Sequence, residues 1–199
     1  MRLYSYVVDH DNGISPNPAN GLCTLVHCKY NRLGRKRNIV EMIEEGDWLL
    51  GSGGASKQSA GAGNIIYLMR IDKKLDFAEY MRNPKYAGRI DRFDLKLNNR
   101  YALVSQTYFY FGSNAISVKS LPEEFGSINL FKSGQGYRKD LPASQIESLV
   151  KWITKEHGGS PIGDPCAPDP KLKRSNRSFR ICKLRRNHNR GPSECQPQI

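Results

Sequence analysis

The sequence predicts a single α+β domain built on a curved, barrel-like sheet with a few helices, followed by a basic C-terminal tail. Three observations predict it. Short runs rich in Val, Ile, Leu and Tyr outnumber helical runs, and loops rich in glycine and proline separate them. One amphipathic helix stands out near the end of the body. With 199 residues, 38% of them hydrophobic, the chain has material for one core rather than two. No repeat of fixed period points to a solenoid or propeller.

Leu3 to Val8 alternates and then runs apolar, with no helix-start signal before it, and reads as a strand. Asp9 to Gly21 follows as a loop, because Asp-Asn-Gly and Pro-Asn-Pro supply turn formers and remove backbone donors. Leu22 to Cys28 reads as a second strand, Val40 to Glu45 as part of a short helix, and Asp47 to Leu50 as a strand entered through Gly46. A glycine-rich loop is expected from Gly51 to Gly63, after which Ile65 to Ile71 returns as an apolar strand. Leu75 to Met81 has helical spacing and ends at Asn83-Pro84, since a residue before proline is pushed out of the helical region. Tyr101 to Phe111 is an aromatic-rich strand stopped by Gly112. From Leu141 to Glu156, the residues Ile146, Leu149, Val150, Trp152 and Ile153 recur at helical spacing, and Gly158-Gly159 ends the helix. Gly163-Asp164-Pro165 closes the body, so the domain is expected over 1–165 and the tail over 166–199.

Charge narrows the partners. The chain carries 31 Lys and Arg against 19 Asp and Glu, a net charge of +12, which favours a polyanionic partner, nucleic acid or a nucleotide first. The tail alone holds nine of those cations against Asp169 and Glu194, with too few apolar residues for a core of its own. No apolar run approaches the roughly 18 residues that cross a bilayer, and the start of the chain lacks the marks of a signal peptide. A cytoplasmic protein without membrane contact is therefore expected. Five cysteines in no disulfide-like spacing exclude a stapled secreted scaffold.

Several groups carry potential chemistry. Asp11 closes a strand and opens a loop, where an acid–base or base-reading carboxylate is often presented, and where an aspartate equally well caps the Asn12-Gly13 turn. Asp47 is the second carboxylate candidate, with Lys29 or Arg138 to stabilise negative charge. Cys23 follows the proline loop and is either a nucleophile or an ordinary buried thiol. Cys23 and Cys28 fall on opposite faces of a strand and cannot share one ion, and the spacing of Cys166, Cys182, His188 and Cys195 matches no common zinc pairing. No metal site is assigned and the cofactor is left open. Gly51 and Gly53 would leave backbone N–H groups free to approach a base or phosphate, although the loop has no Walker ending. Asn17, Ser113, Asn114 and Arg138 sit in glycine or proline loops suited to reading a base edge. Trp48, Tyr108, Tyr110 and Tyr137 would stack on a base or fill the core. Arg32, Arg35, Lys36 and Arg37 in the body, with Arg185 and Arg186 in the tail, would meet phosphates or form solvated basic faces.

Several motifs then stand in one order: Tyr4-Ser5-Tyr6-Val7-Val8, Asp11, Gly13, Pro16-Asn17-Pro18, Cys23-Thr24-Leu25, Cys28-Lys29 and Gly46-Asp47-Trp48-Leu49-Leu50-Gly51. Phe109-Tyr110-Phe111-Gly112-Ser113-Asn114-Ala115, Gln135-Gly136-Tyr137-Arg138 and Gly163-Asp164-Pro165 continue it. In these the chain resembles the nucleotide modification associated domain, type two, over almost the whole body and none of the tail. The resemblance implies an α+β domain of prokaryotes and their viruses, associated by genome context with base modification in DNA, in a modification or phage-defence setting. It names company rather than a reaction. One departure is that Arg82 to Asn99 is shorter than the family pattern, which carries a polar insertion with acidic and histidine residues there. Asp91 and Asp94 are the residues that could stand in. The order of helix, Gly-Asp, strand and glycine loop is also reminiscent of small base-binding barrels of the PUA and EVE kind.

Together these readings lead to recognition or processing of a nucleobase or nucleotide, held between the bends Asp11–Pro18, Gly51–Gly63 and Gly112–Ala115. The alternative is a small basic protein that binds nucleic acid or an acidic partner without catalysis. Oligomeric state is left open.

Overall fold

The fold is known from a computed structural model that describes residues 1–26, 39–89, 91, 100–126, 137–138, 142–158 and 163–168. Its strands are β1 (Leu3–Val8), β2 (Asn17–Ala19), β3 (Leu22–Leu25), β4 (Trp48–Gly53), β5 (Asn64–Arg70), β6 (Lys73–Asp76), β7 (Tyr101–Ser105), β8 (Tyr108–Tyr110), β9 (Ile116–Ser117) and β10 (Tyr137–Arg138). Among the described residues the α-helices are α1 (Ile39–Met42), α2 (Phe77–Arg82), α3 (Glu123–Gly126) and α4 (Ala143–His157). The strands form two sheets in one α+β domain. The first runs β10-β1-β4-β5-β8 with β9 also on β5, and the second runs β2-β3-β7-β6. Neither closes into the expected barrel.

Layering follows from which faces are apolar. On one face of the first sheet Leu3, Trp48, Leu50, Ile65, Leu68 and Phe109 meet Ile146, Leu149 and Ile153 of α4. Its other face packs Tyr4, Tyr6, Leu49, Tyr67, Met69 and Tyr110 against Cys23, Leu25 and Leu103 of the second sheet and against α1. The far side of the second sheet is covered by Tyr80 of α2 and by Tyr86. The strands inside the two sheets, β1, β3, β4, β5, β7 and β8, are thus buried on both faces and read as apolar runs, whereas edge strand β6 is largely exposed.

Topology decides where the loops emerge. β1 and β4 are parallel, with Val8 opposite Gly53, so the segments after both strands leave from the same end. β5 is antiparallel to β4 and β8 is antiparallel to β5, so β5 enters and β8 leaves there too. The proline loop, the glycine loop and the Gly112 turn therefore share one end of the first sheet.

Several boundaries differ from the sequence reading. The stretch expected as loop to Gly21 contains β2, which pairs with β3 through Asn20 and Gly21, both at positive φ. Asn-Gly between paired runs is the two-residue hairpin signal, and Pro18 is tolerated because β2 lies at the sheet edge. β4 runs on through Gly51, Ser52 and Gly53, so the glycine loop begins later than expected. Leu75 lies in β6, and α2 starts only after Asp76, whose carboxylate caps it by accepting from Ala78 N–H. The aromatic run from Tyr101 to Phe111 is two strands in different sheets, parted at Gln106-Thr107, where both N–H groups donate to Asp72.

Candidate functional site

Asp11 ties the shared end together. Its backbone N–H donates to the Gln58 carbonyl at 2.9 Å, joining the proline loop to the glycine loop. Its Oδ1 accepts the Tyr110 hydroxyl at the end of β8, and its Oδ2 accepts the Cys166 N–H at 3.0 Å. The Asp11 carbonyl accepts from Ala167 N–H at 2.9 Å, and Asp164 O accepts from Ser113 N–H at 2.7 Å. The segment 163–168 is therefore laid across the Gly112 turn and onto Asp11. Glycine is required at both points of closest approach. A Cβ at Gly112 would lie 2.0 Å from the Asp164 carbonyl oxygen, and one at Gly163 would lie 2.0 Å from that of Phe111.

The glycine loop is anchored in the same place. Ser59 Oγ donates to Val8 O at 2.6 Å and accepts from Gly54 N–H at 2.9 Å. Asn64 Nδ2 donates to Ala60 O at 2.6 Å. Around this anchored floor His10, Lys57, Gln58, Ser113 and Asn114 are exposed, while Asp11 is wholly buried.

Burial sets the protonation chemistry. It raises the Asp11 carboxyl above its ordinary range, outweighing the bonds from Tyr110 and Cys166, which pull the other way. Tyr110 is raised first by burial and then by the Asp11 charge, and the Cys166 thiol is pushed up to about 12 by the same two causes. Near neutrality both are protonated donors facing an acceptor, and the carboxyl is shifted toward physiological pH.

The remaining candidates fall elsewhere or in other roles. Asp47 precedes β4 and so lies at the opposite end of the strand from the Asp11 cluster, about 20 Å away by strand rise. Its carboxylate accepts from Arg2 N–H at 2.8 Å and from Glu44 N–H at 3.2 Å, fixing the entry to β4. It is a cap for local backbone and does not join the Asp11 cluster. Cys23 is fully buried between the sheets with its thiol pushed up to about 12 by burial, so it is not a thiolate nucleophile near neutrality. Gly51 and Gly53 are buried strand residues. A Cβ at Gly51 would lie 2.1 Å from the Tyr67 ring and one at Gly53 would lie 2.0 Å from Gly61 O, so their missing side chains admit protein atoms rather than a ligand. Trp48 belongs to the core beneath α4, and Tyr108 is buried between the sheets, with its hydroxyl pushed up to about 12 by burial. Neither ring is offered for stacking. Asn17 is buried, and its backbone and side-chain oxygens accept from Arg89. Arg138 pairs with Ser5 through β10. Lys29, Arg32, Arg35, Lys36, Arg37, Arg185, Arg186 and Asp94 lie outside the described residues.

Two features escape sequence reasoning. The first is the docking of 163–168, whose signal is present only in retrospect as paired glycines far apart in the chain. The second is a buried polar cluster behind the second sheet. Arg89 donates to Thr24 Oγ1 at 3.1 Å, to Ala19 O at 2.8 Å and to Asn17, while Asp91 accepts from Thr24 and, at 2.8 Å, from Tyr80. Burial raises Asp91, against the Thr24 bond, the Arg89 charge and the Tyr80 bond. The cluster clamps the β2–β3 hairpin and so fixes the far end of the proline loop. Among the described residues, no three His, Cys, Asp or Glu side chains gather as a metal would require, and no helix is long and apolar enough to cross a membrane. A cavity of 280 Å³ lined by Asp76, Phe77, Ala78, Arg100 and Tyr101 lies at β6, α2 and β7, away from Asp11.

A family model described as nucleotide modification associated domain 2 matches residues 1–100 and 90–170. No curated protein and no solved structure matches the chain.

Proposed function

The chain belongs to the nucleotide modification associated domain 2 family, and from that premise we propose that it recognises a nucleobase or nucleotide, in a DNA-modification setting, at the end of the first sheet where the bends meet. One observation carries the proposal: hydrogen bonds of Asp11 with Gln58 and Tyr110 join the proline loop, the glycine loop and the end of β8 that leads into the Gly112 turn into one floor, with Asp164 and Cys166 bonded across it. Loops fixed by a scaffold are where recognition groups sit, and the exposed side chains of Lys57, Gln58, Ser113 and Asn114 around this floor suit hydrogen bonding to a base, sugar or phosphate.

Processing of the base is a second reading, and one feature favours it. Asp11 is a carboxyl shifted upward by burial and bonded to a tyrosine hydroxyl, a pairing suited to moving a proton. Mass spectrometry separates the two. Recognition predicts an unaltered nucleotide that co-purifies with the protein or is captured on incubation. Processing predicts nucleosides of shifted mass in DNA or RNA treated with the protein, and loss of that shift in Asp11→Asn. If neither a captured nucleotide nor a shifted mass is found, the proposal fails. What remains is a basic protein binding nucleic acid or an acidic partner through its charge.

A further inference from the structure

We propose that residues 163–168 are a displaceable strap, in which the Cys166 N–H holds the Asp11 carboxylate in the place that a nucleobase N–H takes when ligand binds. This rests on the nucleobase reading above and adds to it which end of a nucleotide faces Asp11 and what must move.

The strap is well fitted and weakly held. Its fit is reciprocal, the bare Cα of Gly112 receiving the Asp164 carbonyl and the bare Cα of Gly163 receiving that of Phe111. Its hold is three backbone donors, Ser113 to Asp164 and Cys166 and Ala167 to Asp11, with the Cys166 thiol adding a side-chain bond to the Asp11 carboxylate. None of its side chains joins a core cluster, and every one of its residues is half-buried or exposed. A segment with few buried apolar contacts opens at a small fraction of the global unfolding cost. The β1 and β4 strands are buried along their whole length and stay in place when the strap lifts.

Lifting frees Asp11 Oδ2 and the Asp11 carbonyl while Tyr110 remains bonded to Oδ1. Both freed atoms are acceptors, so the incoming group is a donor. Amino and imide N–H groups of a base meet that requirement. A phosphodiester offers only acceptor oxygens, and any phosphate near neutrality carries negative charge that the carboxylate repels. The base therefore faces Asp11, and the phosphate points outward.

Amide hydrogen exchange of the full chain near pH 7 tests this, with deoxynucleosides and inorganic phosphate as separate probes and calorimetry reporting whether each binds. The Cys166 and Ala167 amides are expected to exchange at least tenfold faster than those of Leu49 and Leu68. Bound deoxynucleoside should raise Cys166 exchange further, and inorganic phosphate should leave it unchanged. In Gly163→Ala, strand protection should persist, Cys166 exchange should rise and deoxynucleosides should bind at least threefold more tightly. Should that variant fail to fold, the unmodified chain still decides. Exchange of Cys166 only together with the core strands overturns the strap, as does a deoxynucleoside that binds while the Cys166 amide stays protected. Local opening at Cys166 with no deoxynucleoside bound overturns the nucleobase reading instead.

Discussion

The Asp11 carboxyl accepts from both Tyr110 and Cys166, and its behaviour with pH tests that arrangement. Asn in its place has one acceptor oxygen for Tyr110 and Cys166, so one donor is left facing an NH2 group, at a cost of about 1–3 kcal/mol. Because burial raises the folded-state value above its ordinary 3.8, the folded protein holds this proton more tightly than the unfolded chain. The associated stability is fully present below the unfolded value and is lost as pH rises through the folded one. Urea unfolding across a pH series should therefore find the gap between wild type and Asp11→Asn widest at about pH 4 or below and narrowing toward neutrality. A gap that widens toward neutrality would mean that the site stabilises the anion. Asp11 was singled out in the sequence because it ends a strand, opens a loop where reactive side chains are often presented, and stands in the family motif, whereas its burial and its bonds to Tyr110 and Cys166 had no sequence signal. Asp47 has the same residue type after a Gly, and only the direction of β4 separates the two, which residue identity does not encode.

At the level of elements, β4 and β5 are joined through a bulge between Gly51 and Ser52, where Tyr67 and Ile65 are consecutive partners. The bulge turns Ile66 and Tyr67 to the same face, between the sheets. Tyr67 then meets the Tyr6 hydroxyl at 2.7 Å across the space left by Gly51. Gly51→Ala should push the Tyr67 ring aside and break that pair, costing about 1–3 kcal/mol in chemical denaturation, and a neutral outcome would contradict the packing described. On the second sheet, Arg89→Leu leaves Asp91 buried without its cation and three backbone carbonyls without their donor. A loss of about 3–5 kcal/mol is expected, read by thermal or urea unfolding. Existence of the longer elements was readable from periodicity, β1, β5 and α4 most plainly. The division of 101–111 between two sheets was not, because both strands are aromatic and buried and the break is made by Asp72, some 30 residues earlier in the chain. The Arg89 cluster was equally hidden, since its partners come from β2, β3 and α2.

Over the whole molecule, the parallel pairing of β1 with β4 is what makes a site possible, since it sends the two loops out together and the antiparallel run β4-β5-β8 adds the third bend. Motif order along the chain singled out these bends, and pairing direction, fixed only by tertiary structure, puts them at one end of the sheet. The net charge of +12 adds a separate expectation. Polynucleotide binding should weaken steeply with salt, and removing residues 169–199, which leaves the strap intact, should flatten the slope of log K against log salt. An unchanged slope would locate the phosphate contacts in the body. The central claim, that the bends around Asp11 receive a nucleobase, is tested most directly by titrating the isotope-labelled full chain with deoxynucleosides and following its amide resonances. Shifts concentrated at His10–Gly13, Ala55–Gly61, Ser113–Ala115 and Cys166–Ala167 are the predicted result; shifts confined to the groove between Asp76 and Tyr101, or none at all, would contradict it.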